Sequence, residues 1–398
     1  MDRLPYLTQA HPGTGGQLKA RTDDFVVEEI PLYQPCGEGP HTYLLVEKHG
    51  LSTYNMVARV ARALGVAPAA VGYAGLKDAR AVTRQMISVE GIPPEQAQAL
   101  QVDGVRVLAA ARHRNKLKLG HLAGNRFAVR IRDVQPAAAS VAEAVLTDLS
   151  QRGVPNYFGE QRFGVRDNTH RLGLALLRGD AAAFVHEYLG SPRSDERPDL
   201  QAARVLVDAG DYAAALEQWP TGLRDERHVL EVLVQAGGEA ERAVRAVSND
   251  LRRLALSAYQ AHLFNRLLAQ RIDRLGRIEP GDVAFIHASG AAFVVQDAAV
   301  EQPRADRFEI SPSGPLFGPN CLLAEGAPGT CERALLAESG LSLETFRLPG
   351  IKMKGARRPY RVPIDAVAVS WDDGLLLQFR LPPGSYATEV LREVMKHD

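Results

Sequence analysis

GYAGLKDARAVTRQ, Gly72 to Gln85, is the stretch on which the reading of the whole chain turns. It opens within a short apolar run, Val71 to Ala74, and breaks at Gly75, where a small residue lets backbone or a ligand come close. Lys77, Asp78 and Arg80 follow, then Thr83, Arg84 and Gln85. One carboxylate thus stands among cations just past a strand end. Cationic neighbours favour the charged form of an acid, so Asp78 is expected to be ionised at neutral pH. An ionised carboxylate in such a place can act as nucleophile, general base or metal ligand. It can equally belong to an ordinary turn with solvated arginines around it, and charge pattern alone does not separate these readings.

Around that stretch, the chain has 398 residues, enough for two or three domains with buried cores. Its formal net charge is zero, so any nucleic-acid site must come from local clustering. The cysteines are Cys36, Cys321 and Cys331; the count is odd and no pair has CxxC spacing. That pattern suits a reducing compartment and argues against a zinc site. No stretch is long and apolar enough to span a bilayer, and the N-terminal MDRLPYLTQAHPGTGG lacks the apolar core of a signal peptide. A cytoplasmic protein with no membrane partner is expected.

Upstream, Phe25 to Ile30 alternates like a strand, and His41 to Lys48 reads as another. Thr53 to Leu64 reads as a helix capped by Thr53 and stopped by Gly65. Downstream, Thr83 to Val89 and Val105 to Ala111 read as strands, and residues 137–151 as a helix. From Arg106 to Arg132 the charge is one-sided: eight Lys or Arg and no acid. A charge run is commonly a solvated face. In a chain of balanced charge, however, segregation of this kind suits a phosphate-contacting surface. The spacing predicts mainly helices over 167–276, one long helix over 242–275, a hairpin within 282–295 and a loop over 313–320. Residues 349–359 are basic again, with Lys352, Lys354, Arg357 and Arg358 and no acid. Strands 361–371 and 375–381 flank Asp372-Asp373-Gly374, and a last helix begins at Ser385 as its cap.

The central stretch closely resembles the signature of the TruD family of pseudouridine synthases. Further family-like strings occur in the family's order. They are the Lys19-to-Glu29 segment with its DFxVxE core, the basic turn leading to Gly124-Asn125-Arg126-Phe127, and VPNYFGEQRFG (Val154 to Gly164). AYQAHLFNRLL (Ala258 to Leu268), SGPLFGPN (Ser313 to Asn320) and LPPGSYATEVLREVM (Leu381 to Met395) complete the set. The resemblance implies that Asp78 is the catalytic acid, Lys19 its ion-pair partner and Phe25 a lining of the uridine site. It also implies that Asn125 contacts the base or its ribose, that Phe127 lies beside the acid, and that Tyr386 holds the base. The amide of Asn125 offers both a donor and an acceptor to the Watson–Crick edge of uracil. Arg112, Arg114, Lys116, Lys118, Lys352, Lys354, Arg357 and Arg358 are the expected phosphate contacts.

The fold implied is α+β. A catalytic domain with a mixed, largely antiparallel sheet comprises 1–155 and 346–398, and an inserted α/β TRUD domain comprises 156–345, with an RNA cleft between them. The implied reaction is isomerisation of a tRNA uridine, with uridine 13 the implied target, to pseudouridine. Whether Asp78 attacks C1′ or C6, or acts as a base at C2′, stays open. No metal or redox cofactor is expected for an isomerisation without net oxidation. The chain shows no feature calling for an obligate protein partner, so a monomer is expected. Two rival classes are a non-catalytic RNA-binding protein, which has little use for a buried acid, and a metal-dependent hydrolase or transferase. The motif offers the latter neither a second carboxylate nor a His pair at ligand spacing.

Overall fold

The computed structural model describes residues 4–396. They form two compact units, one of Tyr6–Asn156 with residues 362–396, the other of Tyr157–Arg361 with Leu4 and Pro5.

The first unit is built on one sheet. Its elements in chain order are β1 (Phe25–Pro31), β2 (His41–His49), α1 (Thr53–Leu64), β3 (Gly72–Tyr73), β4 (Val82–Glu90), α2 (Pro94–Gln98), β5 (Val105–His113), β6 (Leu122–Ile131) and α3 (Ala138–Arg152). After the second unit come β7 (Asp365–Trp371), β8 (Leu375–Leu381) and α4 (Ala387–Met395). The strand order is β7-β8-β6-β1-β4-β2-β5, with β3 on β4. Every pairing is antiparallel except β1 with β4. The sheet is therefore mixed but largely antiparallel. Its two C-terminal strands complete a sheet begun at the N-terminus, as a domain interrupted by an insertion requires.

Alternation sets what each face carries. Phe25, Val27 and Glu29 share one face of β1, and β6 matches them with Val129, Phe127 and Asn125. On the other side of β6, Phe379 pairs with Phe127 and Leu381 with Asn125. Phe25, Phe127 and Phe379 are all buried and form a column: Phe25 meets Phe127 edge-on at 6.3 Å, and Phe127 stacks on Phe379 at 5.3 Å with the ring planes 27° apart. The helix α1 buries Met56, Val57, Val60, Ala61 and Leu64 against β2 and β4. Its cap is Ser52, whose hydroxyl accepts from the Asn55 N–H at 3.1 Å; Thr53 turns inward instead. At α4 the cap position is Tyr386 rather than Ser385, and its side chain makes no capping bond.

The second unit is mainly helical, with a four-stranded sheet, Ala356–Pro359, Ile310–Leu316, Val283–Ile286 and Ala292–Val294 in that order. Its helical core gathers Leu172, Phe184, Trp219, Leu230 and Leu233 among others. The expected long helix runs only over Asn249–Arg271. Ser248 caps it by accepting from Leu251, and Ala240–Ala246 is a separate helix ahead of the extended Val247. The expected loop at 313–320 is in its first half a strand. Gly314 makes this possible, because a Cβ there would lie 2.5 Å from the Tyr360 ring.

Two family-like strings meet inside this unit. Asn265 clamps Phe158 by accepting from its N–H and donating to its carbonyl, both at 2.9 Å. Phe158 packs edge-on against Phe264, and Arg162 and Arg358 lie over its ring. Tyr157, Phe158 and Phe163 are buried, so these aromatics fasten the start of the insertion.

Candidate active site

Asp78 sits in the loop between β3 and β4, and three neighbours fix that loop. Thr53 of α1 accepts from the Lys77 N–H at 2.9 Å and donates to Gln85 of β4 at 3.3 Å. Gln85 in turn donates to the Gly75 carbonyl. Lys48, at the end of β2, is fully buried and donates to the Asp78 carbonyl at 2.8 Å and to the Leu51 carbonyl. The glycine that packing demands is Gly72. A Cβ there would lie 2.3 Å from the Leu117 carbonyl, whereas at Gly75 the nearest atom would be Lys77 Nζ at 3.5 Å.

The Asp78 carboxylate pairs with Lys19 and accepts from the Arg80 N–H at 3.0 Å. Burial pushes its carboxyl up. The Lys19 hydrogen bond, the Arg80 N–H and the charges of Lys19 and Lys48 outweigh that effect and hold it below the ordinary carboxylate value. Asp78 is therefore ionised, as the sequence suggested, but the cations responsible are not those beside it in the chain. Lys77 points elsewhere, and Arg80 contributes backbone. Burial also brings the Lys48 ammonium down to about 8, with the Asp78 charge opposing the shift and Lys77 adding to it.

Lys19 itself is held in an uncommon backbone conformation, φ 54°, in the left-handed region that non-glycine residues rarely adopt. Its ammonium lies 4.5 Å from the centre of the Phe25 ring. The segment between them is anchored by Asp24, fully buried, which accepts from Arg132 at 2.7–2.9 Å and from the Arg21 N–H. The Arg132 hydrogen bond, chiefly, keeps the Asp24 carboxyl below its ordinary value against the opposing effect of burial. Lys19, Asp78 and Phe25 thus come together, and Phe127 lies beneath Phe25. Phe25 gives its face to Lys19, so the aromatic column forms the floor of the group.

Lys77 carries the second cluster. Its side chain is 5% exposed; Nζ lies 2.9 Å from Glu29, itself 1% exposed, and donates to Asn125 Oδ1 at 2.6 Å. Sequence reading missed Lys48, Glu29 and this use of Lys77. The parity of Phe25, Val27 and Glu29 was the one available signal, since it places a carboxylate on an apolar face. Tyr386 is 36% exposed and lies five residues after Leu381, the partner of Asn125 in the sheet.

The basic run is less uniform in space than in sequence. Acids stand beside it in space: Arg106 meets Glu47 and Arg126 meets Glu28 across paired strands, Arg130 and Arg132 meet Asp24, and Arg114 meets Glu38. Among the described residues no carboxylate pairs with Arg112, Lys116 or Lys118, although Lys116 donates to the Ala69 carbonyl at 2.6 Å. In the second unit Lys352 and Lys354 are exposed and Arg358 is half-buried over Phe158. Arg357 is different: its side chain is 3% exposed, paired with the equally buried Glu332 at 2.8 Å and donating to Ser313. Four of its five N–H donors go to Ser313, Leu322 and Glu332, which leaves little for a phosphate. Cys36 and Cys331 are exposed, Cys321 is buried, and all three are free thiols. No helix among the described residues is long and apolar enough to cross a membrane.

A family model described as tRNA pseudouridine synthase D (TruD) matches residues 3–394. The chain is 51% identical over 393 residues to a tRNA pseudouridine synthase D of Geobacter metallireducens, covering 98% of this chain and 97% of that one. It is 40% identical to that of an Anaeromyxobacter species, covering 100% and 97%. Among solved structures, a Methanosarcina mazei protein described as tRNA pseudouridine synthase D superposes with a TM-score of 0.86 at 29% identity. That match covers 99% of this chain and 96% of the other.

Proposed function

Because the chain belongs to the TruD family of tRNA pseudouridine synthases, we propose that it isomerises uridine 13 of tRNA with Asp78 as its nucleophile. The observation that carries this reading is the ionised Asp78 carboxylate, paired with Lys19 and carried on a backbone that the buried Lys48 holds through the Asp78 carbonyl. A structural turn has no need of two lysines, one ahead of β1 and one at the end of β2, to keep one aspartate charged.

The target nucleotide must leave the base stack before its glycosidic bond can be reached, at about a few kcal/mol of unstacking. Asp78 then attacks, the C1′–N1 bond breaks, and the uracil turns and rejoins through C5. Lys19 keeps the attacking oxygen ionised and oriented. Phe25 and Phe127 form the apolar floor, Asn125 addresses the polar edge of the base, and the half-open ring of Tyr386 is the platform for the flipped uracil. Arg112, Arg114, Lys116 and Lys118 in one unit, and Lys352, Lys354 and Arg358 in the other, meet phosphates. The net chemistry is internal: C1′–N1 and C5–H break, C1′–C5 and N1–H form, the C5 proton is given up as N1 takes one, and Asp78 is released unchanged. Unmodified tRNA incubated with the purified protein and EDTA, then mapped for pseudouridine by mass spectrometry, tests the proposal. Modification at position 13 that survives EDTA is expected; modification elsewhere overturns the target, and dependence on added metal overturns the mechanism.

A further inference from the structure

Lys77 and Glu29 form a buried pair that the reaction as described does not use, and it is joined to Asn125, which the reaction does use. Glu29 and Asn125 stand opposite one another in the β1–β6 register, and Lys77, one peptide bond from Asp78, places its ammonium between them. Glu29 is held in turn by the Met86 N–H, which donates to Oε1 at 3.2 Å. An ammonium has three donors and no acceptor. The group facing it on Asn125 is therefore the amide oxygen, whichever way the amide would otherwise rotate. The Nδ2 donors are turned to the opposite side, where they have no hydrogen-bond partner among the described residues, and Asn125 is only half-buried.

We propose that Lys77, fixed by Glu29, is a positioning residue that locks the Asn125 amide with its oxygen inward and its donors outward, so that Asn125 reads a carbonyl oxygen of the target uracil and not its N3–H. This deepens the function proposed above and rests on the reading of Asn125 as a base contact. It narrows that reading: the side chain with two hydrogen-bonding characters presents one. It also ties the base contact to the nucleophile, because Lys77 and Asp78 are adjacent and move together. A uracil misplaced relative to Asn125 is then misplaced relative to the attacking carboxylate.

The test is a double-mutant cycle in the full-length protein, with pseudouridine formation in tRNA and tRNA affinity both measured. One arm is Glu29→Gln with Lys77→Met, which removes both charges together so that neither is left buried alone. The other arm is Asn125→Ala. The charge removal is expected to lower kcat about ten- to hundredfold with tRNA Kd within threefold, and to lower it less than threefold further when Asn125→Ala is already present. An equal loss in both backgrounds makes the pair merely structural and overturns the inference while leaving the base contact intact. A wild-type rate for Asn125→Ala removes the base contact, and the inference with it. Asn125→Asp, which keeps an acceptor and discards the donors, supplies a second readout should the charge removal fail to fold. It is expected to be at least as slow as Asn125→Ala; a rate within threefold of wild type would mean that an acceptor contacts N3–H and overturns the inference.

Discussion

Replacing Lys19 by Met removes one of three supports of Asp78 and leaves the other two. The lost support is a charge-assisted hydrogen bond, a class of interaction worth about 1.5–3 kcal/mol. Lys19 is 22% and Asp78 34% exposed, so solvent screens part of it. We take about 1–2 kcal/mol, which is roughly a five- to thirtyfold fall in kcat/KM if the interaction is made fully in the transition state. The variant should be slow and not dead, because the Arg80 N–H and the Lys48 charge remain. The direction of the pH effect follows from the same balance. Burial raises the Asp78 carboxyl and Lys19 is the largest influence lowering it. Without Lys19 the acid limb of kcat/KM must move to higher pH, since the ionised form is what reacts. The assay is single-turnover pseudouridine formation from pH 4 to 9, alongside tRNA affinity. An unmoved acid limb would refute Lys19 as the group that keeps Asp78 charged, and a loss carried wholly by Kd would make Lys19 a phosphate contact.

Tyr386→Phe should keep most activity, whereas Tyr386→Ala should lose roughly ten- to hundredfold, since base–aromatic stacking is worth about 1–3 kcal/mol. The half-open position of the ring predicts little change in Tm for either, and an inactive but stable phenylalanine variant would put the hydroxyl into the chemistry. Neutralising Lys352 and Lys354 should each flatten the log–log salt dependence of tRNA binding by roughly 0.7–0.9. Arg357→Met should leave that slope alone and instead destabilise the fold by about 3–5 kcal/mol, because Glu332 is left buried without its partner; an altered slope at normal stability would return Arg357 to the RNA surface. Lys48→Met should slow turnover about ten- to hundredfold through loss of the bond to the Asp78 carbonyl. Its folded value of about 8 lies below the ordinary 10.5, so the unfolded chain holds more protons between those values and wild-type stability gains across that window. Denaturant unfolding at pH 7.5 and 10 should show this gain in the wild type and not in Lys48→Met.

Much of the fold could be read from period and punctuation. The helix at Thr53–Leu64, the hairpin around Asp372-Asp373-Gly374 and the alternation in Phe25–Pro31 each follow from local rules that packing did not override. What sequence could not yield is partner choice. Arg357 lies in a run without acids, and its carboxylate arrives from a helix 25 residues upstream. Arg106 and Arg126 find theirs across strands, where register decides and composition is silent. Lys48 follows Glu47 and precedes His49, which reads as a solvated strand end, yet β2 is covered on both faces there and the lysine points at the Asp78 loop. Ser385 and Thr53 are good caps by residue type. Each was displaced by one position, Thr53 because its hydroxyl is needed to hold the loop that carries Asp78.

The central claim is that the charge of Asp78 performs the chemistry. The most direct measurement is pseudouridine content of tRNA treated with wild type and with Asp78→Asn, taken together with tRNA Kd for both. The substitution keeps the shape of the side chain and removes only its charge. Asp78→Asn is expected to give no detectable pseudouridine with Kd within a few-fold of wild type; pseudouridine formed at an undiminished rate per bound tRNA would mean that the Asp78 charge is not the reacting group.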